Sequence, residues 1–525
     1  MISMAVRWSE LMSAISLATD LGMAQPLESG LATCLVATAL AARLGLDLPA
    51  RQRTYHLSLL QHIGCTAAST QIAEVMGDEM VMRAYARTLD FADKRAMFAF
   101  LLSHVARTNP LLSRPAALAR AVAQGGRVTA TVPDVCEAAQ LLGRRCGYDE
   151  RFLTELGCVL EYWDGKGFPG AVRGEALPAP VRVVQVASLA VAAHRAADTA
   201  GAVELVRARA GHQLGPGEAA AFLDDPDGLL APLADGGSLW DEVIAAEPVP
   251  GPPAGDAEID RTLRAVADFV DLKAPCLANH SSGVATLAAD AAADLGLAAD
   301  EVTAVRRAGW LHDLGRVGVS SAVWTHPGPL TPHQWEQVRL HPYYTDRVLD
   351  RTPFLRRLGA IASAHHERVD GSGYFRGARA GQLPVAARVL AAADKYHAMT
   401  EPRPYRAAFA PTDAARYLRN EVDAGHLDAA AADAVLRAAG QPVARRRSAA
   451  PAGLTPRELE ILRCVARGLS IKQIAHELSI APKTVDGHIQ RIYAKVGVSS
   501  RAGATLFAIQ HDLLLAGGEN GENSP

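Results

Sequence analysis

Most of this 525-residue chain is written twice, and that constrains its fold more than any other feature. Gly45-Leu46 recurs as Gly296-Leu297, an offset of 251. At the same offset Gln61-His62-Ile63-Gly64-Cys65 falls on His312-Asp313-Leu314-Gly315-Arg316. Farther on the offset is 206, and Tyr162-Trp163-Asp164-Gly165-Lys166-Gly167-Phe168 falls on Arg368 to Tyr374. Each copy then enters a Leu-Pro and an apolar run, Leu177-Pro178 to Ala190 and Leu383-Pro384 to Ala393. The drop from 251 to 206 places about 45 extra residues in the first copy. Two copies of one structural unit are therefore expected in tandem.

Composition indicates the kind of unit. Aromatic residues are 5% of the chain and alanine is abundant, which favours helices over sheets. Two Pro/Gly-rich stretches, 247–256 and 441–453, read as linkers. The expected plan is an all-α chain with one copy at 1–246, a second at 257–440, a small helical module at 454–515 and a disordered tail at 516–525. A net charge of −3 excludes a chain-wide basic field, so any nucleic-acid site must be local. The seven cysteines are scattered and form no Cys-x-x-Cys pair, as expected of reduced thiols in a cytoplasmic protein. No signal peptide is expected from the N-terminal residues. Val183 to Ala193 is too short to span a bilayer, so no membrane partner is expected.

The copies diverge where chemistry would sit. The second carries His280, His312-Asp313, His341, His365-His366 and Asp394. The first has Ser29 for His280, Gln61-His62 for His312-Asp313, Val159-Leu160 for the His pair and Ser188 for Asp394. It is expected to fold and bind no catalytic metal, leaving packing or dimerisation, or a sensory or substrate-gating role. Imidazole and carboxylate suit Fe, Mn or Zn, and seven such residues can hold two ions. A metal-dependent hydrolase follows, without fixing which nucleotide it acts on.

The order of these seven residues resembles the HD superfamily of metal phosphohydrolases. The loop Asp370-Gly371-Ser372-Gly373-Tyr374 and the segment Arg403-Pro404-Tyr405-Arg406 narrow the resemblance to its HD-GYP group. That resemblance implies a helical fold, a metal centre and hydrolysis of cyclic di-GMP. By motif match the seven become metal ligands, Asp313 and Arg316 catalytic groups, and Gly371, Gly373, Tyr374, Arg403 and Arg406 substrate contacts. The chain departs from the pattern at four places. Arg316 stands where Lys is common, Phe375 where Pro is, His397 where a second Asp is, and Cys276 where three-metal members carry Glu. Two divalent ions, Fe or Mn, are expected rather than three.

In the last block, Thr455-Pro456-Arg457-Glu458 and Ser470-Ile471-Lys472-Gln473 are capping boxes that open helices. Val485, Ile489, Ile492 and Val496 lie at helical spacing. Residues 454–515 carry eight Lys/Arg against five Asp/Glu, a local +3 opposite in sign to the whole. The block resembles the LuxR/GerE DNA-binding domain, a four-helix unit containing a helix-turn-helix. The resemblance makes 482–496 the recognition helix, with Lys483, Thr484, Val485 and His488 facing double-stranded DNA and Arg491 and Lys495 near phosphates. It also implies a homodimer. Ala481 departs from the Ser common at the cap. The expectation is a DNA-binding transcriptional regulator carrying a cyclic di-GMP phosphodiesterase; the rival is a regulator that senses the nucleotide without turning it over.

Overall fold

The computed structural model describes residues 5–104, 114–234, 237–443, 451–511 and 513. The tail and residues 444–450 of the second linker lie outside the described residues. The fold is all-α; among the described residues the only extended pairings are isolated bridges. Two compact units form, Met1–Gln441 and Pro442–Pro525.

The first unit contains the repeat, and its elements keep the sequence offsets. Helix Ser29–Arg43 corresponds to His280–Asp294, Leu48–Leu60 to Ala299–Leu311, and Ala179–Ala196 to Val385–Thr400. In both copies a buried carboxylate accepts the same backbone bond ten residues on: Asp20 from Gly30 N at 3.0 Å, Asp271 from Ser281 N at 3.1 Å. The loop after the His pair is also built twice. Glu161 accepts from the amides of Gly170 and Ala171, and Glu367 from those of Arg376 and Ala378. Gly165 and Gly371 both sit at positive φ, +82° and +85°, where a side chain would be strained. The extra residues of the first copy form helices Glu79–Ala86, Lys94–His104 and Arg114–Ala130.

The two copies share one core. Lys273, fully buried at the end of helix Asp256–Asp271 in the second copy, pairs at 2.8 Å with Glu79 from the first copy's insertion. Glu79 also accepts from Ser320 Oγ and Ser321 N, just after the turn that follows Asp313. Burying both charges is tolerable only because each polar atom is paired.

The second unit packs helices Pro456–Ala466, Ile471–Glu477, Pro482–Val496 and Arg501–Gln510 around Ile461, Leu462, Val465, Ile474, Val485, Ile489 and Ile492. Both capping boxes form.

Candidate metal centre and nucleic-acid interface

The second copy brings its seven His/Asp residues together from five elements. Helix Ala299–Leu311 ends at His312, and a short 3-10 turn, Leu314–Gly318, follows Asp313. Gly315 lies against the next helix so closely that a Cβ there would meet the His341 carbonyl at 1.9 Å. Only glycine lets Asp313 and His341 share one site. Gly64 makes the same approach to Val135, which identifies Val135 as the first-copy counterpart of His341. Pro342 begins helix His341–Leu349, and Asp394 sits on the buried face of Val385–Thr400.

Asp313 divides the donors into two sets. Its Oδ2 lies 3.0 Å from His312 Nε2 and 3.4 Å from His280 Nε2, and Asp394 Oδ1 is 3.3 Å from His280 Nε2. Its Oδ1 lies 3.5 Å from Nε2 of both His341 and His365. The ring of His366 is 4.2 Å from that of His365, and these two with His341 form a second cluster of possible ligands.

The hydrogen bonds fix which nitrogen faces the centre. Nδ1 of His312, His341 and His365 donate to the carbonyls of Gly309, Val338 and Ala362, at 2.8, 2.6 and 2.7 Å. Each Nε2 is left with a lone pair directed inward, the arrangement that suits metal ligation. His341 Nε2 and His365 Nε2 stand 3.0 Å apart, so two lone pairs face each other. Nε2 of His280 and His312, both carboxylate oxygens of Asp313 and Oδ1 of Asp394 are buried without a hydrogen-bond partner, although Asp313 Oδ2 is ion-paired with Arg316. Unpaired buried donors and acceptors carry a desolvation cost that a cation would remove. Burial holds His341 down at about 3, the neutral form that ligates. His312 is also buried, but Asp313 and Asp394 draw it up to about 9, as excess negative charge facing an imidazole edge requires. The residues fit divalent cations.

The remaining expected site residues line a cleft of about 690 Å³ beside this cluster, with one exception: Gly373, Tyr374, Arg316, Arg403 and Arg406 do, and Gly371 does not. Arg316 lies 2.9 Å from Asp313 Oδ2 and over the Trp324 ring. Tyr374 packs on His366. Arg403 donates to Glu401 and to the Cys276 carbonyl. Arg406 donates to the carbonyls of Met399, Glu401 and Ala407, closing the end of helix Val385–Thr400. Both expected phosphate contacts therefore already have protein partners.

Sequence reasoning missed Glu401. Its Oε2 accepts from His280 Nδ1 at 2.8 Å, and His397 Nδ1 is 3.3 Å from its Oε1. Burial opposes the charge, but these two imidazoles hold its carboxyl well below the usual range. His280, His397 and Glu401 form a further cluster of possible ligands, so His397 stays beside the centre.

In the first copy the equivalent space is electropositive. Arg87 donates to Ser188 Oγ at 2.7 Å and Arg195 to Ser29 Oγ at 2.6 Å. Burial, with Arg87 and Arg83 nearby, lowers His62 to about 3. Every possible ligand cluster among the described residues belongs to the second copy.

In the small module, Lys483, Thr484 and Arg491 are exposed on helix Pro482–Val496, and His488 is half-buried 3.2 Å from Arg491. Val485 is a correction: it is fully buried in the module's core and presents nothing to DNA. The apolar stripe it shares with Ile489 and Ile492 decides its place. Lys495 is tied to Glu458 at 2.7 Å and to the Gly453 carbonyl. Ala481 makes no side-chain cap.

Residues 264–431 match the HD domain model, and residues 452–508 match the model of bacterial regulatory proteins of the luxR family. The chain thus carries an HD domain and a LuxR/GerE-type domain. It is 26% identical over 418 residues to 3'3'-cGAMP-specific phosphodiesterase 3 of Vibrio cholerae, spanning 79% of this chain and 90% of that protein. It is 33% identical over 151 residues to a cyclic di-GMP phosphodiesterase of Thermotoga maritima, covering 28% of this chain and 40% of that one. A crystal structure of a cyclic GMP-AMP specific phosphodiesterase of V. cholerae shares the fold, with a TM-score of 0.56 and 22% identity over 84% of this chain and 99% of the other. No helix among the described residues is long and apolar enough to cross a membrane.

Proposed function

We propose that this HD-domain and LuxR-type chain is a DNA-binding transcriptional regulator whose second copy hydrolyses a cyclic dinucleotide, cyclic di-GMP. The carrying observation is the placement of Asp313, with one carboxylate oxygen toward each of two donor sets. Two ions, Fe or Mn, would be held by His280, His312, Asp313 and Asp394 on one side and by Asp313, His341, His365 and His366 on the other. Bound there, they supply a water of lowered pKa and neutralise charge on the phosphodiester oxygens.

The protein's own groups do the rest. The carbonyls behind His312, His341 and His365 keep each imidazole in the tautomer that faces the centre. Arg316, buried and held beside Asp313, stays charged; Asp313 and Asp394 raise its pKa against the cost of burial. It is suited to grip a phosphate oxygen and unsuited to give up a proton. Tyr374 and Gly373 form the wall next to His366. Arg403 acts first through Glu401, and with Arg406 it adds positive charge to the cleft.

The first copy, whose ligand positions are replaced and whose serines at two of them are bound by Arg87 and Arg195, is assigned no metal and a packing role. The division into 1–246, 257–440 and 454–515 assigns one task to each part. Double-stranded DNA binding goes to the LuxR-type module, acting as a homodimer in the cytoplasm. 3'3'-cGAMP is a second candidate substrate, because the relative matched over 90% of its length is specific for it.

The test is purified full-length protein loaded with Mn or Fe and incubated with each cyclic dinucleotide. Linear product that disappears in His312→Ala and Asp313→Ala supports the enzyme. Tight binding without product, at full metal content, would establish the nucleotide-sensing regulator instead.

A further inference from the structure

Large aromatic side chains are scarce in this chain, and most of those near the metal centre are already engaged. Trp324 lies beneath Arg316 and against His341. Tyr374 packs on His366, and the Arg339 guanidinium lies 6.0 Å from its ring centre. Two others lining the same cleft are not engaged. Trp335 is 48% exposed and Tyr405 is 62% exposed. Of the six tryptophans, Trp335 alone is exposed. Among the described residues, neither ring stacks on another ring or on a cation.

The backbone beneath each ring is fixed by local hydrogen bonds. Trp335 is in the first turn of helix Pro332–Arg339, whose start is fixed by the Thr331/Gln334 capping box. Tyr405 is at the tip of a tight turn closed by Arg403 N to Arg406 O at 2.9 Å and Arg406 N to Arg403 O at 3.0 Å. The guanidiniums flanking it are bound to Glu401 and to the end of helix Val385–Thr400. Exposing a large apolar ring to water has no packing benefit, and fixing it in advance lowers the entropic cost of covering it later.

We infer that Trp335 and Tyr405 are base-stacking platforms, one for each base of the cyclic dinucleotide. The inference rests on the proposed phosphodiesterase reading. A cyclic dinucleotide carries its two phosphodiesters in the ring and its bases outside it. When one phosphodiester reaches Asp313, the bases must find surfaces elsewhere in the cleft. Every base presents a π-face, so stacking supplies affinity for the class without deciding between guanine and adenine.

The test is steady-state kinetics of full-length, Mn-loaded protein on cyclic di-GMP and 3'3'-cGAMP. Trp335→Ala and Tyr405→Ala should each raise KM roughly tenfold and leave kcat within about twofold, since stacking holds substrate and transition state alike. Trp335→Phe and Tyr405→Phe should recover most of the affinity. Quenching of tryptophan emission by cyclic di-GMP should be largely lost in Trp335→Phe. Phe98→Ala, an exposed aromatic of the first copy, should change nothing. Circular dichroism and metal content must match wild type; an Ala variant that fails this is replaced by Leu. A KM within twofold of wild type in the Trp335 and Tyr405 variants, with wild-type turnover intact, overturns this inference alone. A wild-type protein that neither binds nor cleaves any cyclic dinucleotide overturns the phosphodiesterase reading and this inference with it.

Discussion

Glu401 Oε2 lies 2.8 Å from Nδ1 of His280, and that contact directs the opposite ring nitrogen toward Asp313 and Asp394. A carboxylate behind a ligating imidazole fixes its tautomer and raises its basicity. Glu401→Ala removes both effects and releases Arg403. Metal affinity is expected to fall about 10- to 100-fold, with helix content unchanged, as read by titration of the apo-protein with Mn. Glu401→Gln keeps an acceptor without the charge and should fall between. Equal affinity in all three proteins would refute the role.

Asp313 and His366 should differ in what their loss removes. Asp313 faces both donor sets, whereas His366 belongs to one. Asp313→Ala is expected to lower bound metal from about two ions per chain to nearly none. His366→Ala should retain about one ion. Elemental analysis of the purified variants measures this, and activity on cyclic di-GMP should be lost in both.

The repeat was legible because glycines and Leu-Pro pairs are fixed by local geometry that a sequence offset preserves, and the seven His/Asp residues stood out because the second copy carries them where the first does not. Gly64 and Gly315 show why: each is a glycine because a carbonyl occupies the space of its Cβ. Glu401 was not legible. It lies 121 residues from His280, and no local pattern marks a carboxylate that acts through a tertiary contact. Arg403 and Arg406 line the cleft, but their donors turn toward Glu401 and helix-end carbonyls, which no local pattern marks. Val485 lies on both the apolar stripe and the segment matched to DNA contacts, and burial in the core decided between them. The shared core of the two copies, with Lys273 paired to Glu79, follows from no periodicity in either segment.

Asp20 should make stability fall as pH rises. It is buried beside Gly30 in the first copy, and burial raises its pKa from 3.8 to about 7 against the pull of Arg87 and Arg195. A folded-state value above the unfolded one means the native state holds the proton more tightly. The resulting stability is complete below about pH 4 and is lost as pH climbs through about 7. The shift corresponds to a few kcal/mol, on the order of 1.4 for each unit. Asp20→Asn keeps an acceptor for Gly30 and cannot ionise. Urea midpoints between pH 4 and 7 should fall in wild type relative to the variant; parallel curves would show that Asp20 is already ionised at low pH.

Three cations on the LuxR-type module separate binding from stability. Lys483 and Arg491 are exposed on helix Pro482–Val496 and have no ion-pair partner among the described residues, whereas Lys495 is bonded to Glu458 at 2.7 Å. Glu458 is nearly buried and belongs to the capping box of helix Pro456–Ala466, so Lys495 braces one helix against another. Lys483→Ala/Arg491→Ala should weaken DNA binding on all sequences and reduce the slope of log K against log salt by about two, one for each phosphate no longer neutralised. Lys495→Ala should leave that slope within about half a unit and instead lower the module's melting temperature, because it strands a carboxylate that burial has partly stripped of water. Fluorescence anisotropy at several salt concentrations, paired with thermal unfolding, distinguishes the two. A slope unchanged in the double variant would remove Lys483 and Arg491 from the DNA interface, and a slope that drops in Lys495→Ala would return that lysine to it.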